Sequence, residues 1–298
     1  MNPDSPYPRY QQTIETHAIV KGFGYWSGED VWIEFRPAAA GTGLAFVRPH
    51  RGSQVRIPVN VAFRQEVPRR TNLVKQGASV EMVEHVIAAL AGLQIDNCEI
   101  WASAPEMPGG DGSSQAFVDA ILKAGIMKQS ERQPTIKVKQ TIRVGTEDAW
   151  IEARPVPEGD SPAMTLQYSL DYGENHVIQR QDFAMALNPA TFQSQVAGAR
   201  TFVLKSEADQ MQANGIGWRV SNQDLIVFGE NGPIDNPLRY PDECVRHKTL
   251  DMVGDLALCG CDLIGVFQGY RTGHRLNAEL VRQIIARHDI QQPLSTCA

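Results

Sequence analysis

The sequence predicts a mixed α+β protein made of two domains of similar topology facing one another across a cleft. Three observations support this. A chain of 298 residues is long enough for two domains of ordinary size. Extended runs and helix-period runs are interspersed along it, with no long series of either alone. A short internal similarity is also visible. Val83-Glu84-His85 precedes Ala88-Ala89-Leu90-Ala91-Gly92-Leu93 and a strand, and Val245-Arg246-His247 precedes Asp251-Met252-Val253-Gly254-Asp255-Leu256 and another strand. If the similarity is a repeat, each half offers one histidine-bearing helix, and two such halves can place both helices around one cleft.

In chain order, residues 13–20 have weak strand character, and 21–28 form a glycine-rich turn without phosphate-loop spacing. Strands follow at 31–35, 44–47 and 54–57. Residues 79–93 read as a helix, with Ser79 as cap and Val80, Val83, Ile87 and Leu90 at helical spacing. The chain returns as a strand at 98–102, turns through the Pro- and Gly-rich 104–113, and forms a helix at 114–124. Polar residues 128–134 are the candidate linker. They separate an N-terminal α+β domain, 1–127, from a C-terminal one, 135–298. Strands recur at 135–144, 150–153 and 166–170, and an irregular insert occupies about 191–238. A helix at 241–258 follows, with Pro241, Asp242 and Glu243 suited to its first turn and Gly254 weakening it. A buried strand at 263–270, a turn at 271–274 and a helix at 276–288 complete the chain.

Composition bounds the function. With 42% hydrophobic and 21% charged residues, this is a globular composition. No apolar run approaches a membrane span, so no transmembrane segment is expected. The N-terminal residues lack the basic and apolar regions of a signal peptide. A net charge of −6 argues against a general nucleic-acid binder. Five cysteines without a Cys-x-x-Cys read as reduced thiols in a cytoplasmic protein. Cys259 and Cys261 alone offer an incomplete zinc set.

The candidate chemistry centres on the helix at 241–258. There His247, Asp251 and Asp255 lie at i, i+4 and i+8 and form one polar stripe beside Leu250, Val253 and Ala257. An imidazole and a carboxylate one turn apart can share a divalent ion; a His–Asp hydrogen bond on a solvated face is the alternative. His85 from the first half completes a three-ligand set of mixed nitrogen and oxygen type, leaving a fourth place for water, whose pKa zinc lowers to about 7. Glu84 is then a candidate base, His274 a candidate acid, and Asp255 a hydrogen-bond partner that orients an imidazole.

Several ordered motifs strengthen this reading. They are Val83-Glu84-His85 with 88–97, Pro105-Glu106-Met107-Pro108 with Asp111-Gly112-Ser113, and Ala199-Arg200-Thr201-Phe202. Then come 239–243 through Val245-Arg246-His247-Lys248 to Asp251 and Gly254-Asp255-Leu256, and lastly Gly273-His274 with Leu276-Asn277. From about Gln12 to Ile285 the chain resembles the UDP-3-O-acyl-N-acetylglucosamine deacetylase family, the zinc-dependent deacetylases of lipid A biosynthesis. The resemblance implies two α+β domains, each a sheet packed on helices, with the active site between them. It implies zinc on His85, His247 and Asp251, with iron(II) accepting similar ligands. It further implies Glu84 as base, His274 as acid or stabilising cation with Asp255 beside it, and Thr201 as a donor to the oxyanion. Lys248 would face the substrate diphosphate and Phe202 would pack on the sugar or nucleotide.

Two departures bear on substrate. Trp26 stands where the family's Gly-x-Gly-x-His-Ser-Gly turn carries histidine. Bulky Trp218 and charged Arg219 fall in the insert that forms the family's acyl passage, where a desolvated guanidinium would be costly unless it snorkels out. The expected activity is removal of the N-acetyl group from a UDP-linked, acylated glucosamine. The same chemistry on a different or non-acylated N-acetyl sugar is the first alternative. A non-catalytic sugar-nucleotide-binding paralogue is the second, and the intact set Glu84, His85, His247, Asp251 and His274 argues against it.

Overall fold

A computed structural model describes residues 8–288. Its six helices are α1 (Glu84–Gly92), α2 (Gln115–Ala124), α3 (Pro189–Gln195), α4 (Lys205–Ala213), α5 (Glu243–Leu256) and α6 (His274–Arg287). None is long and apolar enough to cross a membrane.

The two halves share one sheet topology. In the first, the strand order is Ala18–Phe23, Asp30–Pro37, Cys98–Ala102, Leu44–His50, Ser53–Pro58. In the second it is Ile142–Gly145, Trp150–Arg154, Asp262–Tyr270, Met164–Leu170, Gln181–Ala186, with Thr135–Lys137 also pairing the central strand. Along the order of five, each sheet has a parallel pairing between its third and fourth strands and is otherwise antiparallel; in the second sheet Thr135–Lys137 adds another parallel pairing to the central strand. In each, the central strand is the last to enter. It follows the histidine-bearing helix, α1 or α5, and precedes a second helix, α2 or α6. The short internal similarity in the sequence thus falls on matching elements of the two halves, the histidine-bearing helix and the central strand after it.

Sheets with one face on the core read as alternating strands. Met164–Leu170 shows this plainly, burying every second residue. Helices α1 and α5 instead pack against each other at the centre, so both are buried nearly all round. Gly254 allows the close approach: a Cβ there would overlap the backbone carbonyl oxygen of Glu84. The residue that weakens α5 as an isolated helix is what admits α1. One contiguous apolar core runs through both halves, from Phe35 and Phe117 to Phe267 and Leu280.

Three expectations need correction. The segment expected to be a linker, 128–134, is largely strand: Ile126–Arg132 pairs antiparallel with Tyr10–Ile14. Polarity misled there, because this two-stranded ribbon leaves much of the later strand exposed. The helix expected from Ser79 begins only at Glu84. Residues Ala78–Val80 pair with Asn72–Lys75, and Met82 turns the chain with a φ of 56°. Val80 is buried as a strand residue that happens to fall on the helical spacing. The helix expected at 241–258 is shorter at its start, with Asp242 at the N-cap and Pro241 outside it.

The insert contributes α3, α4 and a three-stranded sheet of Phe202–Leu204, Ile226–Gly229 and Gly232–Pro233. It is anchored to α5 by a buried ion pair. Glu243 accepts from the Arg200 backbone N–H and Nε at 3.0 and 2.8 Å and from Nη2 at 3.0 Å. The acid at the start of α5 therefore serves as a multiply bonded anchor as well as a helix-dipole partner.

Candidate active site

Helix α1 supplies Glu84 and His85, α5 supplies His247, Lys248, Asp251 and Asp255, and α6 begins at His274. Donor atoms of His85, His247 and Asp251 all lie within 4.8 Å of one another, and the three side chains are buried. The Nε2 atoms of His85 and His247 are each 3.5 Å from Asp251 Oδ1. His247 Nδ1 lies 3.1 Å from the carbonyl oxygen of Ala199. That bond places the Nδ1 proton and leaves Nε2 with a lone pair for a metal. Asp251 Oδ2 accepts from Lys248 Nζ at 2.7 Å, leaving Oδ1 toward the two imidazoles. The donor set fits a divalent ion: two imidazole nitrogens and one carboxylate oxygen converge, and the second polar atoms of His247 and Asp251 are engaged elsewhere.

The charge states agree with that fit. Burial pushes His247 down to about 3, against the pull of Asp251, so the imidazole is neutral as a ligand must be. Burial would raise Asp251, but the Lys248 ammonium, with the His85 hydrogen bond and the His274 cation behind it, holds the carboxyl well below its ordinary range. Lys248 stays charged, because Asp251 offsets the cost of its burial.

Beside the ligand set sits an acid–base pair. His274 Nδ1 is 2.9 Å from Asp255 Oδ2, and its Nε2 is 3.9 Å from Glu84 Oε1. Burial works to lower the His274 pKa, but the Asp255 charge and hydrogen bond, with Glu84 and Asp251 behind them, raise it to about 9. Burial raises Glu84, with His274 and His85 opposing. One carboxylate and one imidazolium with displaced pKa values, side by side in a cleft, have the chemistry an acid–base combination requires.

All these groups except Asp255 line one cavity of about 820 Å³. Asp255 stands behind His274, fully buried. Thr201 and Phe202 line the cavity as well. Phe202 lies edge-on to His247 with ring centroids 6.2 Å apart, and the Lys248 ammonium is 5.8 Å from the Phe202 centroid. The nine residues singled out from the sequence are therefore gathered in and around one cavity. Two others were missed. Asn277 donates to Asp255 Oδ2 at 2.8 Å, and Thr71 donates its hydroxyl to Asp255 Oδ1 at 2.6 Å. Asn277 was signalled by the motif after His274; nothing in the sequence marks Thr71. Cys259 and Cys261 have sulfurs 3.5 Å apart, and among the described residues no third ligand joins them.

Comparison with known proteins matches residues 11–286 to the LpxC family model, UDP-3-O-acyl N-acetylglycosamine deacetylase. The chain belongs to this family. Among similar proteins, the UDP-3-O-acyl-N-acetylglucosamine deacetylase of Psychrobacter arcticus is 36% identical over 94% of this chain and 86% of its own length. The protein of the same name from Shewanella oneidensis is 34% identical over 96% of this chain and 93% of its own. That from Actinobacillus pleuropneumoniae serotype 3 is 32% identical over 94% and 91%.

The departures from the family pattern now have physical accounts. Arg219 donates to Asp30 Oδ1 at 2.6 Å and to the Gly28 carbonyl at 3.2 Å, and its guanidinium lies 4.4 Å from the Phe23 ring centroid. Trp218 donates its indole N–H to the Ser27 carbonyl at 3.2 Å and packs on Gly28. Both residues clamp the insert to the glycine turn. The cavity is lined by their neighbours Gly217 and Val220, together with Val203, Met211, Ile216 and Val227. Trp26 lies under the Arg70 guanidinium, 4.1 Å from its ring, and forms part of the cavity wall.

Proposed function

We propose that this protein is a zinc-dependent amide hydrolase that removes the N-acetyl group from UDP-3-O-acyl-N-acetylglucosamine, a step of lipid A biosynthesis. The observation that carries the reading is the convergence of His85, His247 and Asp251 within 4.8 Å in the cavity that also holds Glu84 and His274. A divalent ion on those three residues, zinc with iron(II) as the other ion the set accepts, supplies Lewis acidity at the amide carbonyl and lowers the pKa of water at the site.

The chain's own groups account for the proton movements. Glu84, held by the Thr71 amide at 3.0 Å through Oε2, takes the proton of the attacking water. Thr201 donates to the developing oxyanion. His274, kept protonated by Asp255, gives its Nε2 proton to the departing amine or steadies the intermediate as a cation. Lys248 serves the substrate diphosphate; its pairing with Asp251 gives it a second task of holding that ligand's carboxylate. Phe202 packs on the sugar or nucleotide. The apolar stretch of the cavity, with Arg219 paired outside it, favours an acylated substrate over a non-acylated one. Reduced cysteines at 98, 244, 259 and 261 suit a cytoplasmic setting.

The test is hydrolysis of the acylated UDP-sugar by purified protein, with metal assayed on the same sample. About one zinc per chain with turnover is expected. His85→Ala and Asp251→Ala are expected to lose metal and activity together; retention of both would overturn the site. Equal turnover of UDP-N-acetylglucosamine without the acyl chain would overturn the substrate.

A further inference from the structure

We infer that Thr71 is a positioning residue that sets the spacing between the base and the acid. The inference rests on the proposed roles of Glu84 and His274. Thr71 is fully buried, just before the strand Asn72–Lys75, and each of its polar groups is engaged. Its backbone N–H donates to Glu84 Oε2 at 3.0 Å. Its hydroxyl donates to Asp255 Oδ1 at 2.6 Å. Its carbonyl accepts from the Val83 N–H at 3.1 Å, at the N-terminus of α1. One residue of the first half thus touches the carboxylate that precedes His85 and, across the domain boundary, the carboxylate that holds His274.

The geometry differentiates the oxygens of both acids. Glu84 has Oε2 tied to Thr71, which leaves Oε1 on the side of His274 Nε2 at 3.9 Å. Asp255 has Oδ1 tied to Thr71, while Oδ2 takes His274 Nδ1 and Asn277 Nδ2. A carboxylate held through both oxygens cannot swing about its Cβ–Cγ bond, so the imidazole it orients is held as well. Asn277 is itself held by Thr272, whose hydroxyl lies 3.0 Å from its Oδ1. Without the Thr71 hydroxyl, Asp255 Oδ1 is a buried anionic oxygen with no partner, and the carboxylate rotates or admits water. Neither change touches the substrate or the three ligands. The effect falls on alignment and therefore on the chemical step.

Thr71→Val keeps the shape and the backbone amide and removes the hydroxyl; Thr71→Ser keeps the hydroxyl. On the acylated substrate, Thr71→Val is expected to lower kcat by at least about tenfold with KM changed less than about twofold, and Thr71→Ser to stay within about threefold of the parent. Metal content should match the parent in both. In 15N-histidine spectra the His274 Nδ1–H signal should shift in Thr71→Val and keep its position in Thr71→Ser, a readout independent of turnover. Should the valine variant fail to fold, Thr71→Ala leaves room for water at Asp255 and is expected to show the same lowered kcat with KM held. An unchanged kcat in whichever of these folds, or equal losses in Val and Ser, would overturn the inference. Absence of turnover in the parent protein would instead count against the proposed function and leaves the spectral test of Thr71 in force.

Discussion

At the residue scale, the structure is a set of buried charges arranged so that each has a partner. His274 shows how much depends on one contact. Burial alone would make it a neutral imidazole; Asp255 makes it a cation with a pKa of about 9. In the metal-free protein, NMR titration of His274 should give a value near 9, and in Asp255→Asn a clearly lower one, since burial is then opposed only by Glu84 and Asp251. The folded value lies above the unfolded one. This group's contribution to stability is therefore complete below about pH 6.5 and is lost as pH rises through about 9. The stability gap between parent and Asp255→Asn should narrow across that window in denaturant titrations, and a constant gap would refute the pairing. The placement of two candidate ligands was readable from sequence, since the i, i+4 spacing of His247 and Asp251 puts both on one side of a helix. Thr71 was not, because a lone threonine carries no spacing and its partners lie 13 and 184 residues away.

At the element scale, the two histidine helices were legible as a pair, but their contact was not. Gly254 reads locally as a defect in α5. In the folded chain it is the point where α1 passes closest, with the Glu84 carbonyl in the space a Cβ would need. Gly254→Ala sets two effects against each other. Helix propensity would gain about 1 kcal/mol. Pushing two packed backbones apart costs roughly 1–3 kcal/mol or more. Because the obstacle is backbone, which cannot rotate away, the cost wins. We expect a lower midpoint in thermal unfolding and a sharp fall in kcat, since Glu84 and His85 move with α1; a more stable variant would show that the helices separate freely. The strands at Ile126–Arg132 and Ala78–Val80 carry the opposite lesson. Their pairing partners, not their own residues, make them strands. A polar edge ribbon looks like a linker, and a strand-borne valine at helical spacing looks like a helix.

At the scale of the whole molecule, the cavity belongs to both halves. His85 comes from the first and His247 and Asp251 from the second, so any ion they hold ties α1 to α5. Arg9 makes a second tie, bonded at 2.7 Å to Asp96 in the first half and at 2.8 Å to Asp262 in the second. Metal that binds only the folded state stabilises by mass action, about 4 kcal/mol at a thousandfold excess over Kd. For a chain of this length, stripping the metal with a chelator should lower Tm by roughly 5–10 °C, and re-addition of zinc should restore it. Because the ligands span the interface, the loss should appear in the main unfolding transition. A chelator that removes the metal without moving Tm would mean that the ions are held elsewhere.

By itself the sequence carried the strand and helix periodicities, the short internal similarity and the spacing of His247 with Asp251 and Asp255, because these are local properties of the chain; Thr201, Phe202 and Lys248 came only from the resemblance to a family. The tertiary structure decided what those residues do to one another. It brought Glu84 within 3.9 Å of His274, paired Asp251 with Lys248, turned Arg219 outward onto Asp30 and placed Thr71 between two acids. Each of these joins segments or selects among partners that the order of residues does not rank, since hydrogen bonds and ion pairs form between neighbours in space and are settled only when the two halves close on a shared core.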